Sequence, residues 1–221
     1  MRFELALILV LAFVVYGQEK PTDTPSEPIW PAKFTTKFDE VFNYPLVGEV
    51  KTKGSFYYNY NTKRYRVDRE NGKGDRYCGL NGLKWLKNTP CSQYVVNGDR
   101  YIYYPELKEC CYCCSSEHGC GILHPQWHKG AEFLGVVSYQ GREAFKWDKP
   151  GLQSNFYYET LHDEPQNRIM LGIDQKPNDH QIFDPAAWST EFNDAVLELP
   201  SICKKSNSCS IASTCTAARN I

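Results

Sequence analysis

The chain has 221 residues, 31 of them aromatic, with 13 prolines, 15 glycines and 10 cysteines. Its 25 basic and 26 acidic residues leave a formal charge of −1, which gives no electrostatic footprint for nucleic acid, whose binding rests on a clustered excess of Lys and Arg. At 42% apolar and 23% charged residues the composition is that of a folded domain with a packed core and excludes disorder over the whole length.

Arg2 precedes an apolar run from Leu5 to Tyr16, and Val15 and Gly17 stand as small residues at −3 and −1 of a cleavage site. Residues 1–17 therefore read as a secretory signal peptide. The run is twelve residues where a spanning helix needs roughly twenty, so a transmembrane anchor is the poorer reading. The expected product is secreted, extracellular or in the lumen of the secretory-endolysosomal pathway. Ten cysteines in an exported chain read as disulfides. At about 5% of the residues they reinforce a core rather than replace one.

Residues 18–33 carry Pro21, Pro25, Pro28 and Pro31. The missing amide donors predict an extended leader, with Trp30 as a docking point. Residues 34–203 read as a single β domain and 204–221 as a cysteine-containing tail. Within the domain, short strands are closed by turns. Residues 93–96 and 99–104 flank Asn97-Gly98, the pair that accepts the two positive φ angles of a type I′ turn. Residues 134–139 and 142–147 flank Gln140-Gly141, and a two-residue loop would bring Leu134, Val136, Phe145 and Trp147 onto one face. A third hairpin joins 55–60 to 63–68 across Asn61-Thr62. A fourth pairs 155–161 with 168–173, where Ile169, Leu171 and Ile173 alternate with Met170 and Gly172. Helix signals are confined to 185–193, after Asp184, and 209–219. Four consecutive hairpins make an antiparallel meander, and one this long must curl to cover a face and manage its edges. The expected fold is mainly β: a curved antiparallel sheet, a half-barrel or barrel, with one or two short helices and disulfide reinforcement.

The densest chemical cluster is Cys110, Cys111, Cys113 and Cys114, followed by Cys120. Structural zinc would use four thiolates, with His118, His124 or His128 to replace one. Redox chemistry would use one C-x-x-C as a dithiol, but its customary parallel βαβ context is absent. The third reading is disulfides, in which the neighbours Cys110 and Cys111 on an extended segment point to opposite faces and staple the strand to two layers. Cys78, Cys91, Cys203, Cys209 and Cys215 complete the set of disulfide candidates. The acidic stretch 68–75 offers Asp68, Glu70 and Asp75 as a weaker calcium site, against a plain solvated turn. G-x-S-x-G, H-E-x-x-H, G-x-G-x-x-G and the phosphate-loop pattern are all absent from the sequence. That lowers the expectation of an enzyme, and no catalytic residue is assigned.

The aromatics crowd into 56–60, 101–104 and 156–158. On strands they line both faces, as core and rim or as a concave surface for an apolar ligand. Phe56, Tyr58, Trp85, Tyr103, Phe145, Trp147 and Phe156 are the candidate pocket walls.

The early strands 34–42 and 48–68, the Cys78 and Cys91 pair, the Asn97-Gly98 hairpin and the terminal stretch from Phe192 through Leu197-Glu198-Leu199-Pro200-Ser201-Ile202-Cys203 resemble the ependymin-related proteins, whose fold is similar to the bacterial lipoprotein carrier LolA. The resemblance is one of layout over most of the chain, and the cluster 110–120 and the cysteines at 209 and 215 go beyond it. It implies a curved sheet with helices over its mouth, an apolar pocket for lipid, calcium binding and a homodimer. The leading expectation is a secreted non-enzymatic carrier of a hydrophobic small molecule such as a lipid or fatty acid. The alternative is a cysteine-rich extracellular protein-interaction or matrix module, in which 110–120 stiffens a loop facing a partner.

Overall fold

A computed structural model describes residues 24–44, 48–82, 84–150 and 155–220, the Trp85 side chain excepted. The expected signal peptide lies outside the described residues. Eleven strands form one antiparallel sheet: β1 (Lys33–Tyr44), β2 (Gly48–Asn59), β3 (Arg64–Arg69), β4 (Cys91–Val96), β5 (Asp99–Tyr104), β6 (Glu109–Ser115), β7 (Glu132–Tyr139), β8 (Arg142–Lys149), β9 (Asn155–Glu159), β10 (Met170–Gln175) and β11 (Asp179–Ser189). The α-helices are short, α1 (Arg76–Gly79) and α2 (Thr214–Arg219).

The strand order is β6-β5-β4-β3-β2-β1-β11-β10-β9-β8-β7. Every strand lies beside its chain neighbour except β6 and β7, which are the two edges, while β1 and β11 pair in the middle. The topology is thus an up-and-down barrel slit between β6 and β7. The sheet curls, because Trp30 packs 5.5 Å from Tyr58 on β2 and its indole donates to Tyr157 on β9 at 3.1 Å. Those strands are four steps apart, roughly 19 Å in a flat sheet, more than one indole spans. The barrel stays open because the β6 edge is taken: the Tyr112 amide donates to the Asn207 carbonyl at 2.7 Å, and the Cys209 amide to the Tyr112 carbonyl at 2.9 Å. The tail thereby supplies the partner that β7 would have supplied.

Asn97 and Gly98 take φ of 53° and 83°, and Gln140 and Gly141 take 50° and 77°, so both two-residue turns form with the expected handedness. In the second hairpin a register shift between Phe133 and Gly135 sets Phe133 opposite Trp147. Leu134 falls outside the ladder and is exposed, so the expected foursome loses it; Gly135, at φ 105°, absorbs the bulge. A second shift, between Met170 and Gly172, breaks the alternation expected there. Met170 and Ile173 join the main core, and Leu171 packs with Ala144 and Tyr158 on the other face.

The helix expected over 185–193 is replaced by the end of β11. The β1–β11 register jumps from Lys37↔Asp184 to Thr35↔Ser189, leaving Pro185 in the irregular stretch, where a missing donor costs little. Trp188 stacks on Phe34 at 4.6 Å, a tertiary contact that outweighs the local Asp-Pro helix signal. Of the helix expected over 209–219, residues 214–219 form α2, because Cys209 is held against β6 instead.

All ten cysteines are paired: Cys78–Cys91, Cys110–Cys203, Cys111–Cys209, Cys113–Cys215 and Cys114–Cys120. Cys110 belongs to the outer-face cluster with Tyr94, Tyr101 and Cys203, and Cys111 to a different one with Ile102 and Cys209. Adjacent cysteines therefore fasten β6 to two layers, as alternation on a strand requires. Cys113, Cys114 and Cys120 are the one grouping of three or more clustered metal-ligand side chains among the described residues, and disulfides occupy all three sulfurs.

Candidate functional site

The inner face of the sheet is roofed by two segments. One is the leader, in which the Trp30 amide donates to the Pro125 carbonyl at 2.9 Å. The other is 116–131, which crosses the slit between β6 and β7. Tyr58 donates its hydroxyl to the Leu123 carbonyl at 2.7 Å, Trp127 lies 5.4 Å from Trp30, and His128 is fully buried. Beneath this roof is a cavity of about 320 Å³.

Its character follows from what each strand presents inward at every second position. On β1 the buried positions run Phe34, Thr36, Phe38, Glu40 and Phe42. On β3 Tyr65 and Val67 give way to Arg69, and on β11 Phe183 is followed, toward the strand's start, by Gln181 and Asp179. The antiparallel register aligns these gradients, with Phe38 opposite Phe183 and Glu40 opposite Gln181. One end of the cavity is consequently apolar, walled by Trp30, Phe38, Phe56, Tyr65, Trp127 and Phe183, the rings meeting mostly edge to face, as in Trp30–Phe56 at 6.0 Å and Phe56–Tyr65 at 6.0 Å. The other end is polar.

At the polar end Arg69 donates to Glu40 through both Nε and Nη2, the latter at 2.8 Å, and Nη2 lies 3.4 Å from the Asp75 carboxylate. Gln181 also donates to Glu40, at 2.6 Å. Asp75 accepts from the Tyr77 and Cys78 amides at the start of α1 and from Gln93 at 2.9 Å. Burial works against the charge on Arg69, but Asp75 and Glu40 outweigh it and hold the guanidinium protonated. Burial, reinforced by the negative charge of Glu40, pushes the Asp179 carboxyl up to about 8. Arg69 Nη1, Arg100 Nε and Asp179 Oδ1 are buried without a hydrogen-bond partner among the described residues.

Of the seven pocket candidates, Phe56 and Tyr58 line the cavity. Phe145 and Trp147 belong to the same core cluster but lie beside the cavity, where Trp147 donates to Glu159 at 3.0 Å. Tyr103 packs with Tyr94 and Leu199, and Phe156 with Tyr158, on the outer face: each is one residue out of phase with an inward neighbour, Ile102 or Tyr157. The Trp85 side chain lies outside the described residues. The calcium candidates do not converge. Asp68 pairs with Arg66 at 2.7 Å and accepts from Ser92 at 2.5 Å, Glu70 is exposed, and Asp75 faces the cavity. Sequence reasoning passed over Glu40, Arg69, Arg100 and Asp179. Their signal was a charged residue at an inward phase of a strand.

No family model matches the chain, and no curated protein matches it. Among solved structures it is similar to an uncharacterized conserved protein from Thermus thermophilus, with a TM-score of 0.47, 9% identity and coverage of 79% of this chain and 89% of that one. It is also similar to a putative outer membrane lipoprotein-sorting protein domain from Vibrio parahaemolyticus (TM-score 0.38, 5% identity, 76% and 89% covered) and to a LolA superfamily protein from Nitrosomonas europaea (TM-score 0.35, 8% identity, 76% and 90% covered).

Proposed function

We propose that this chain is a secreted, non-enzymatic carrier of a hydrophobic small molecule, such as a lipid or fatty acid, of the ependymin-related kind. The observation that carries the reading is the aromatic-walled cavity of about 320 Å³ between the inner face and its two-segment roof, a volume within the roughly 300–1,000 Å³ of small-molecule sites. Burying ten methylenes there contributes roughly 8 kcal/mol before the costs of association, so shape and desolvation suffice without a reactive group. Five complete disulfides support export, and no helix among the described residues is long and apolar enough to cross a membrane. On this reading 24–32 and 204–220 are parts of the domain rather than appendages, one roofing the cavity and the other closing an edge.

Native mass spectrometry of the full chain secreted from its host, followed by organic extraction, tests the proposal. A stoichiometric adduct that leaves with the organic phase is the expected result. Protein of bare-chain mass that also takes up no decanoate or decanol on titration would overturn it.

A further inference from the structure

From the polar end of the cavity we infer that the carried molecule is an amphiphile with a single anionic head group, a carboxylate or its equivalent, received by the unpartnered donors of Arg69 and Arg100 while its tail lies among Trp30, Phe56 and Tyr65. This rests on the carrier reading and adds to it the chemistry of the head.

Three observations support the assignment. First, the fork of Arg69 is only partly used. Nε and Nη2 are taken up by Glu40 and Asp75, which fix the guanidinium, and Nη1 remains a buried donor with no acceptor among the described residues. Natural proteins rarely leave such a donor unpaired, and a ligand oxygen is an ordinary way to satisfy it. Second, Arg100 presents a buried Nε, also without an acceptor there, while its guanidinium carbon sits 4.9 Å from the Tyr77 ring and 5.9 Å from the Tyr65 ring. Stacking on two rings holds the group without neutralising it. Third, the carboxylates at this end are matched to Arg69 and leave Arg100 unpaired. Glu40 and Asp75 both lie on Arg69, whereas Arg76 is exposed. Burial raises the Asp179 carboxyl, which favours its protonated form, itself a donor to an anion. A cationic head would meet two guanidinium faces and is disfavoured.

The test titrates the full chain calorimetrically at pH 7 with three ligands sharing one tail: decanoate, decanol and decyltrimethylammonium. Decanoate is expected to bind at least about tenfold more tightly than either, the discrimination of a charge-assisted hydrogen bond in a desolvated site. In Arg100→Gln that margin should shrink to about threefold or less, while the melting temperature, read in parallel, reports whether the variant still folds; Arg100 has no carboxylate within ion-pair reach among the described residues, and none of the ion pairs above depends on it. Equal binding of the three ligands, or preference for the ammonium, overturns the head-group assignment and leaves the carrier standing. Failure of all three to bind overturns the head-group assignment, and together with secreted protein of bare-chain mass it takes the carrier down as well.

Discussion

The two wings of the sheet are held by different means. All five disulfides lie on the wing that ends at β6, three of them between β6 and residues 203–215. The wing that ends at β7 has no cysteine in β7–β11 and is held by packing: Phe133 meets Trp147 at 5.0 Å, Tyr139 stacks on Tyr158 at 4.0 Å, and Glu159 is buried between Trp147 and Arg168. The difference follows from what each edge has to bury. The tail that caps β6 reads Lys204-Lys205-Ser206-Asn207-Ser208, and the one large aliphatic residue among its described residues, Ile211, is 88% exposed. Such a segment gains little from the hydrophobic effect and is tied down covalently.

The largest effect is therefore expected from sulfur, and it should be strongly non-additive. Closing a loop of about 100 residues is worth about 4.7 kcal/mol in the chain-entropy model, and Cys110–Cys203, Cys111–Cys209 and Cys113–Cys215 span 93, 98 and 102 residues. The loops overlap, however. With the first closed, each of the others ties off only about eight further residues, worth about 2.5 kcal/mol. Replacing Cys111 and Cys209 by Ala should cost about 2–3 kcal/mol in urea unfolding, and removing all three pairs on the order of 10 kcal/mol, comparable with a domain's whole net stability. Equal costs for one pair and for three would show that the tail is held by something other than its bridges.

On the packed wing the counterpart of a disulfide is Arg168, whose side chain is 1% exposed. It donates to Glu159 at 2.9 Å and to the carbonyls of Ser26 and His162 at 2.6 Å each, so it ties the leader and the β9–β10 loop to the core. Arg168→Leu should cost about 3–5 kcal/mol, the usual price of stranding a buried partner. Burial raises the Glu159 carboxyl to about 7 even with Arg168 opposing it. Because the folded state binds this proton more tightly than the unfolded state, Glu159 makes stability fall as pH rises from about 4.5 to 7. In Arg168→Leu that fall should steepen and extend above pH 7, and Glu159→Gln in the same background should remove it. A pH-independent loss in Arg168→Leu would mean that packing, not charge, is what the arginine supplies.

How much of this was legible in the sequence divides along the same lines. The Asn97-Gly98 and Gln140-Gly141 turns are written in two residues each and fold as read, because positive φ is a local demand. The split of Cys110 and Cys111 between two layers was legible from strand alternation alone. What alternation could not give were the bulges at Leu134 and Leu171, where a one-residue slip exchanges the faces, nor the β1–β11 pairing that nearly closes the barrel, since that contact joins the two ends of the meander. The cavity was half legible for the same reason. Phe56 and Tyr58 are visible as aromatics on a clear strand, whereas Arg69 and Asp179 look like ordinary strand-end charges until register sets them beside Glu40 and Phe42.

The smallest expected effect lies in the roof. His128 is fully buried, with its ring 3.6 Å from that of Trp127 and 4.0 Å from that of Tyr157, and neither ring nitrogen has a partner among the described residues. Burial, with the positive charge of Lys149 adding to it, holds its pKa well below 6.5. The unfolded chain takes up this proton as pH falls through about 6.5 and the folded chain does not, so stability is lost below that pH, by at most about 1.4 kcal/mol per pH unit for the single proton. His128→Leu, close in volume and unable to protonate, should flatten the acid side of the stability profile between pH 6.5 and 5 while leaving the Glu159 contribution in place. Since the Ala131 amide is bonded to the His128 carbonyl and Trp127 shares the cavity wall, the first amides to lose exchange protection on acidification should be those of 122–131, ahead of β8 and β9. Protection lost together across the roof and both strands would mean that the roof has no acid sensitivity of its own.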